Sequence, residues 1–261
     1  MKNFFFLIGL IVVFFTPAFA EEKNIFQITA VEVASGQNHQ NAVILKIVKR
    51  ENNQPVTVKD LKEDHHNKMQ AFIVNSTLTD YSHVYPTPVQ SQPGAYMFVW
   101  SPKTNGYYRL WVEATPATIN QAEFISADLT SPQKSMGVID RKKVLETTVE
   151  GLTFRIEFHP ALRLHHASRM QLTILDKTGN PVTELEPILG VFAHVAGFHE
   201  DFHSVMHIEP MGQDSKADTD HSVGVLDFKV QPERTGFVRF FVQVLYQGKE
   251  ISATLGSDVK N

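Results

Sequence analysis

Twelve histidines stand in a chain of 261 residues that contains no cysteine. Histidine is the commonest metal ligand and the side chain that titrates near neutral pH. The densest group is His194, His199, His203 and His207, with Glu200 and Glu209 between and beside them. One chemistry this group fits is metal ligation on a β-hairpin. Residues 190–198 and 204–209 read as two strands joined at 199–203. A fold between Glu200 and Asp201 sets His194 opposite His207, where Cβ atoms stand roughly 4.5–5.5 Å apart. That spacing suits two imidazoles sharing one ion with metal–nitrogen bonds of about 2.0–2.1 Å. Side chains alternate along a strand, so His203, Val205 and His207 share a face, and His203 or Glu209 would complete the set. Without a thiolate, neutral imidazole suits copper or zinc. A second chemistry is hydrolysis. His199-Glu-Asp-Phe-His203 has the H-E-x-x-H form, which needs both histidines on one face of a helix and the glutamate as general base. The plain alternative is a half-buried imidazole among Phe192, Ala196 and Phe198 whose ring nitrogen bonds a carbonyl.

An internal repeat must position these residues. Met69-Gln-Ala-Phe-Ile-Val-Asn-Ser-Thr-Leu-Thr-Asp-Tyr-Ser-His-Val-Tyr-Pro86 aligns with residues 193–210. The alignment puts Gln70 on His194, Leu78 on Phe202 and His83 on His207. Gly94 and Gly106 fall on Gly224 and Gly236, and Gly106-Tyr-Tyr-Arg-Leu-Trp-Val falls on Gly236-Phe-Val-Arg-Phe-Phe-Val. A repeat of this length means two copies of one unit. It also places the H-E-x-x-H residues on Asn75-Ser-Thr-Leu-Thr79, a hairpin tip, which argues against the helix. Asn75-Ser-Thr itself has the form of a glycosylation acceptor.

Short runs rich in β-branched and aromatic residues, separated by Asn52-Asn-Gln-Pro, Gln92-Pro-Gly, Thr104-Asn-Gly and Asp176-Lys-Thr-Gly-Asn-Pro, predict tandem β-sandwiches. Helical spacing of apolar residues is lacking. The expected organisation is a signal peptide at 1–20, a first sandwich at 21–129, a polar linker at 130–143 and a second sandwich at 144–261. The leader reading rests on Lys2, the apolar run Phe4 to Phe15, Pro17, and the small residues before a cleavage site after Ala20. The run is short for a membrane span, and no span is expected in the mature chain. The net charge of −4 becomes −5 when Lys2 leaves with the leader, and no basic run follows, which argues against nucleic acid as partner. G-x-S-x-G, P-loop and G-x-G-x-x-G motifs are lacking, so no enzymatic activity is expected.

Three stretches carry a resemblance. They are Gly179-Asn-Pro-Val-Thr-Glu-Leu-Glu-Pro-Ile-Leu-Gly-Val-Phe-Ala-His194, then His207-Ile-Glu-Pro210, then Gly236-Phe-Val-Arg-Phe-Phe-Val-Gln243. Together they resemble a loosely characterised group of bacterial secreted proteins with a G-x-P-V…L-x-P-x-L-G…H stretch, an H-x-H-P strand and a glycine-led G-x-Y-R-x-W/F-V-Q strand. Asn53-Gln-Pro-Val, His83-Val-Tyr-Pro86 and Gly106-Tyr-Tyr-Arg-Leu-Trp are similar to the same pattern in the first copy. The resemblance covers most of the mature chain. It implies immunoglobulin-like or cupredoxin-like sandwiches and the handling of copper or other heavy metals in the cell envelope. The chain departs from the pattern at Tyr85 and Glu209, which replace the second histidine of H-x-H-P, and at Gln70. Carried over by position, His194 and His207 remain as a pair and His83 stands alone.

The expectation is therefore a non-enzymatic periplasmic or secreted protein. Its second sandwich binds copper or zinc through His194 and His207, with His203, Glu209 and His83 as further candidates. The alternative is a metal-free interaction or scaffold protein that binds another envelope protein, and the remaining rival is the zinc hydrolase.

Overall fold

The computed structural model describes residues 24–34, 41–63, 68–119, 121–129, 137–212, 215, 217 and 219–261. The signal-peptide reading, His39, His65 and His66 lie outside these residues. Among the described residues, eight strands form the first unit: β1 (Phe26–Ala34), β2 (Asn41–Lys49), β3 (Met69–Asn75), β4 (Tyr81–Val84), β5 (Thr87–Pro88), β6 (Ala95–Trp100), β7 (Tyr108–Ala114) and β8 (Glu123–Asp128). They make two antiparallel sheets, ordered β1-β2-β6-β5 and β4-β3-β7-β8. Val43, Leu45, Phe98, Ala71, Ile73, Leu110 and Val112 fill the space between the sheets.

Nine strands among the described residues form the second unit: β9 (Glu146–Val149), β10 (Leu152–His159), β11 (Ser168–Leu175), β12 (Leu185–Glu186), β13 (His194–His199), β14 (Val205–Met211), β15 (Val225–Gln231), β16 (Gly236–Tyr246) and β17 (Lys249–Val259). One layer runs β9-β10-β11-β15-β14, and the other holds β13, β16, β12 and β17. A short β13–β14 pairing joins them. Phe154, Leu172, Phe228, Val238 and Phe240 lie in the core between the layers. The chain is thus all-β, with two tandem sandwiches built from an internal repeat, as its turn spacing predicts. Among the described residues no helix is long and apolar enough to cross a membrane.

The two copies match down to strand register. Val74 pairs with Tyr81 and Arg109, while Phe198 pairs with Val205 and Arg239. In each copy the chain changes layer close to a proline. The first copy leaves β3 at Val84 and pairs with β6 from Thr87, across Pro86. In the second, β14 starts on β13 and ends on β15, with Pro210 in the second pairing. Proline donates no ladder bond, so such edges are where a strand can tolerate it.

The proline–valine and glycine motifs have a structural cause. Asn53 and Gly179 hold left-handed φ values of 56° and 84° at matched turns. The turns fold Val56 and Val182 back, so that their N–H groups donate to Ile47 O at 2.9 Å and Ile174 O at 3.0 Å. The N–H groups of Ile47 and Ile174 donate in turn to Gly94 O and Gly224 O. A Cβ at Gly94 would stand 2.9 Å from Ile47 O, and one at Gly224 would stand 2.7 Å from Ile174 O. Only glycine fits under so close a backbone approach.

Candidate functional site

β7 and β16 bury both faces. Leu110 and Val112 point into the first sandwich while Trp111 points out of it. Phe240 and Val242 point into the second while Phe241 points out. Phe72, Val74, Leu78 and Trp111 from the first sandwich form one buried cluster with Ala196, Phe198, Phe202 and Phe241 from the second. These are matched positions of the repeat, so the seam has approximate twofold symmetry. Its rings interlock: Tyr81 stacks on Phe241 with centroids 4.5 Å apart, and Trp111 lies 5.1 Å from Phe198. Leu78 and Phe202 sit at the two hairpin tips with φ of 55° and 58°. That conformation is costly for such residues, and it delivers both side chains to the seam. The linker takes part as well. Ile139 packs on the cluster, Arg141 pairs with Glu200, and Arg239 Nη2 donates to Asp140 O at 2.5 Å.

The seam decides where the sequence-predicted histidines go. His194 does not face His207. The second hairpin turns between Asp201 and Phe202, one residue later than expected, because Phe202 takes the left-handed position and its N–H donates to His199 O. β14 then leaves β13 after Met206, and His194 instead faces Gln243 of β16. Nor is there a helix at 199–203. His199 ends β13 and the next residues turn, so His199 and His203 do not share a helical face. Glu200 accepts the Phe237 N–H at 3.1 Å and pairs with Arg141, a structural role rather than that of a general base. His203 lies before β14, off the expected strand face, and meets the Arg109 guanidinium. Burial and that cation hold its pKa below the ordinary range. His207 is exposed and pairs with Glu209, Nε2 to Oε1 at 2.7 Å, which lowers the Glu209 pKa. Asn75, of the possible glycosylation triplet, is 4% exposed. Its amide oxygen accepts from the N–H groups of Thr79 and Asp80.

What the structure brings together is His83 and His194, one from each sandwich, with ring centroids 4.8 Å apart. Gln70 Nε2 donates to Glu113 Oε2 at 2.6 Å, so its oxygen is offered to His83, whose Nε2–H donates to it at 2.9 Å. Burial, first, and the neighbouring His194, second, push the His83 pKa down to about 3. The ring is therefore neutral and its Nδ1 bears a lone pair. Gln243 Oε1 lies 3.1 Å from that nitrogen and the Tyr85 hydroxyl 3.4 Å. The same hydroxyl lies 3.5 Å from His194 Nε2, which donates to Ile188 O at 3.0 Å. Burial raises the Tyr85 pKa, so the hydroxyl keeps its proton. Sequence reasoning missed Tyr85, Gln70 and Gln243. The signal for Gln70 and Gln243 was the mostly apolar runs of β3 and β16 that hold them, which mark strands buried on both faces. A cleft of about 540 Å³ between the sandwiches reaches this cluster, with Tyr85, His194 and Gln70 in its lining and Glu113, His207 and Glu209 also on its walls. Among the described residues no three His, Cys, Asp or Glu side chains converge as a metal site.

Comparison with known proteins leaves the activity open. No curated protein matches the chain. Among solved structures the chain is similar to the bacterial integrin-binding protein invasin at 11% identity and a TM-score of 0.25, over 88% of this chain and 39% of that one. It is similar to InvD of Yersinia pseudotuberculosis at 17% identity and a TM-score of 0.26, over 89% and 56%. The D0–D1 domain of intimin is 11% identical with a TM-score of 0.25, over 89% and 98%. The chain therefore spans less than two thirds of invasin and of InvD. Residues 147–261, the second sandwich, match a family described as a domain of unknown function (DUF8832).

Proposed function

We propose that this is a non-enzymatic protein of the bacterial cell envelope, periplasmic or secreted, whose rigid pair of sandwiches is a scaffold for a protein partner. The observation that carries this reading is a contrast between matched faces. On the outer face of the β1-β2-β6 layer, Val31 pairs with Ile44 and Ile44 with Met97, while Ala42 pairs with Val99. Val31 is 56% exposed, Val99 54% and Met97 39%. The matched positions of the second sandwich are Glu157, Gln171 and Asp227, then Arg169 and Lys229. There Arg169 pairs with Asp227 at 3.7 Å, Gln171 Nε2 donates to Asp227 Oδ1 at 3.3 Å, and Lys229 pairs with Glu209 at 3.2 Å.

One backbone thus carries a charged face in one copy and an apolar face in the other. Folding demands only the inner faces, so the exposed apolar rows of the first sandwich are free to serve association. Three strands spaced about 4.8 Å apart give a narrow patch. A stable dimer needs roughly 800 Å² per partner. The patch therefore fits one apolar segment of a partner rather than a second copy of this chain. The absence of a basic run supports a protein partner over nucleic acid.

The test is site-specific photo-crosslinking in living cells, with the probe at Val99 and, separately, at Lys229. A discrete adduct from Val99, absent from Lys229 and lost in Val31→Lys/Met97→Glu, supports the reading. Equal adducts at both positions, or none at Val99, would overturn it.

A further inference from the structure

We propose that the seam holds a copper or zinc ion between His83 of the first sandwich and His194 of the second, with the Tyr85 hydroxyl and the Gln243 amide oxygen completing its donors. The site differs from the hairpin pair His194/His207 and draws on both sandwiches. Three features of the structure carry it.

The first is distance. Donors held around one ion at about 2.0–2.1 Å stand roughly 2.9–3.5 Å from one another, from tetragonal to tetrahedral geometry. The Tyr85 hydroxyl stands 3.4 Å from His83 Nδ1 and 3.5 Å from His194 Nε2. The second is polarity. Nδ1 of His83 bears a lone pair, because its other nitrogen is committed to Gln70, and it faces Gln243 Oε1 at 3.1 Å. A nitrogen lone pair and a carbonyl oxygen repel unless the amide turns over or a cation lies between them. The third is the support behind the ligand. A ligating histidine ordinarily donates its second N–H to an acceptor that fixes the ring. Here His83 donates to Gln70, which donates to Glu113. On the other side, His194 Nε2 would give up its bond to Ile188 O, the proton moving to Nδ1 of the same ring. The cleft supplies the entry path, since Tyr85 and His194 line it and Glu113 and Glu209 stand on its walls. Imidazole and neutral oxygen donors select copper or zinc over calcium or magnesium. An ion at this place would tie the two sandwiches together.

The experiment is calorimetric titration of the chelator-stripped mature chain with Zn(II) and with Cu(II), paired with thermal melts. One site per chain at micromolar affinity or tighter is expected, with a melting temperature that rises on loading. His83→Gln and His194→Gln should each weaken binding at least tenfold, Tyr85→Phe should weaken it less, and His207→Ala should leave it unchanged. Glutamine keeps a hydrogen-bonding group in place, and melts without metal show whether each variant is folded. Tyr85→Phe removes only a hydroxyl and serves if a glutamine variant fails to fold. No saturable binding would overturn the proposal and leave the Gln243 amide nitrogen facing His83. Binding that survives both histidine variants, or that His207→Ala abolishes, would also overturn it. The partner-docking face lies on the other layer of the first sandwich, so the photo-crosslinking result stands independently of this one.

Discussion

Phe198→Ala tests whether the seam is a packed core or a loose contact. Phe198 is 1% exposed and its ring lies 5.1 Å from Trp111 and 5.9 Å from both Tyr81 and Phe241. Truncating a phenylalanine in a close-packed core costs about 3–5 kcal/mol, the lost transfer energy plus that of the cavity. If the two sandwiches only touched, they would close over the gap and the cost would fall to roughly 1 kcal/mol. Urea unfolding reads the difference. The chain has two tryptophans, and Trp100 lies in the first sandwich core while Trp111 lies in the seam. In a Trp100→Phe background, fluorescence therefore reports on the seam and far-UV dichroism on the strands. The full penalty should appear in the fluorescence transition, which in Phe198→Ala should precede the dichroism transition, because the seam is what the substitution weakens. A loss below about 1 kcal/mol with coincident transitions would refute the argument.

Further outcomes follow from the turns and the buried histidine. Gly94→Ala should cost about 2–4 kcal/mol, part for the left-handed backbone and part for the clash with Ile47 O. Gly179→Ala has open space at Cβ and should cost only about 1 kcal/mol, so equal losses in denaturant melts would contradict the account. His199 is 2% exposed, and burial, with Arg234 adding to it, holds its pKa below the ordinary histidine range against the opposing pull of Asp201 and Glu200. The unfolded chain then binds the extra proton first, so stability is full above about pH 6.5 and falls as pH drops below it. His199→Asn, which copies Asn75, should flatten part of that fall, with His83 and His203, whose pKa values are also lowered, keeping the rest. An unchanged slope of stability against pH between 7 and 5 would show that His199 is not buried neutral.

The sequence by itself determined the all-β class, the repeat and the strand and turn positions. Each rests on local chemistry: period-two patterning, prolines and glycines at turns, and a match that spans both halves. It also located the hairpin tips, since Leu78 and Phe202 fall on one another and both take the left-handed conformation. The register of the second tip was not legible. One residue at a turn moves every cross-strand pair, and no local preference marks Phe202 as the left-handed residue. For that reason His194 and His207 read as a pair and stand apart in the fold. The partner of His194 was beyond any local reading, because His83 lies 111 positions away in the other sandwich. Their meeting depends on two sheets packing face to face. The apolar runs of β3 and β16 showed that such a surface is buried, but not what buries it. That was decided only by the tertiary structure, where the outer face of one copy finds its complement in the outer face of the other.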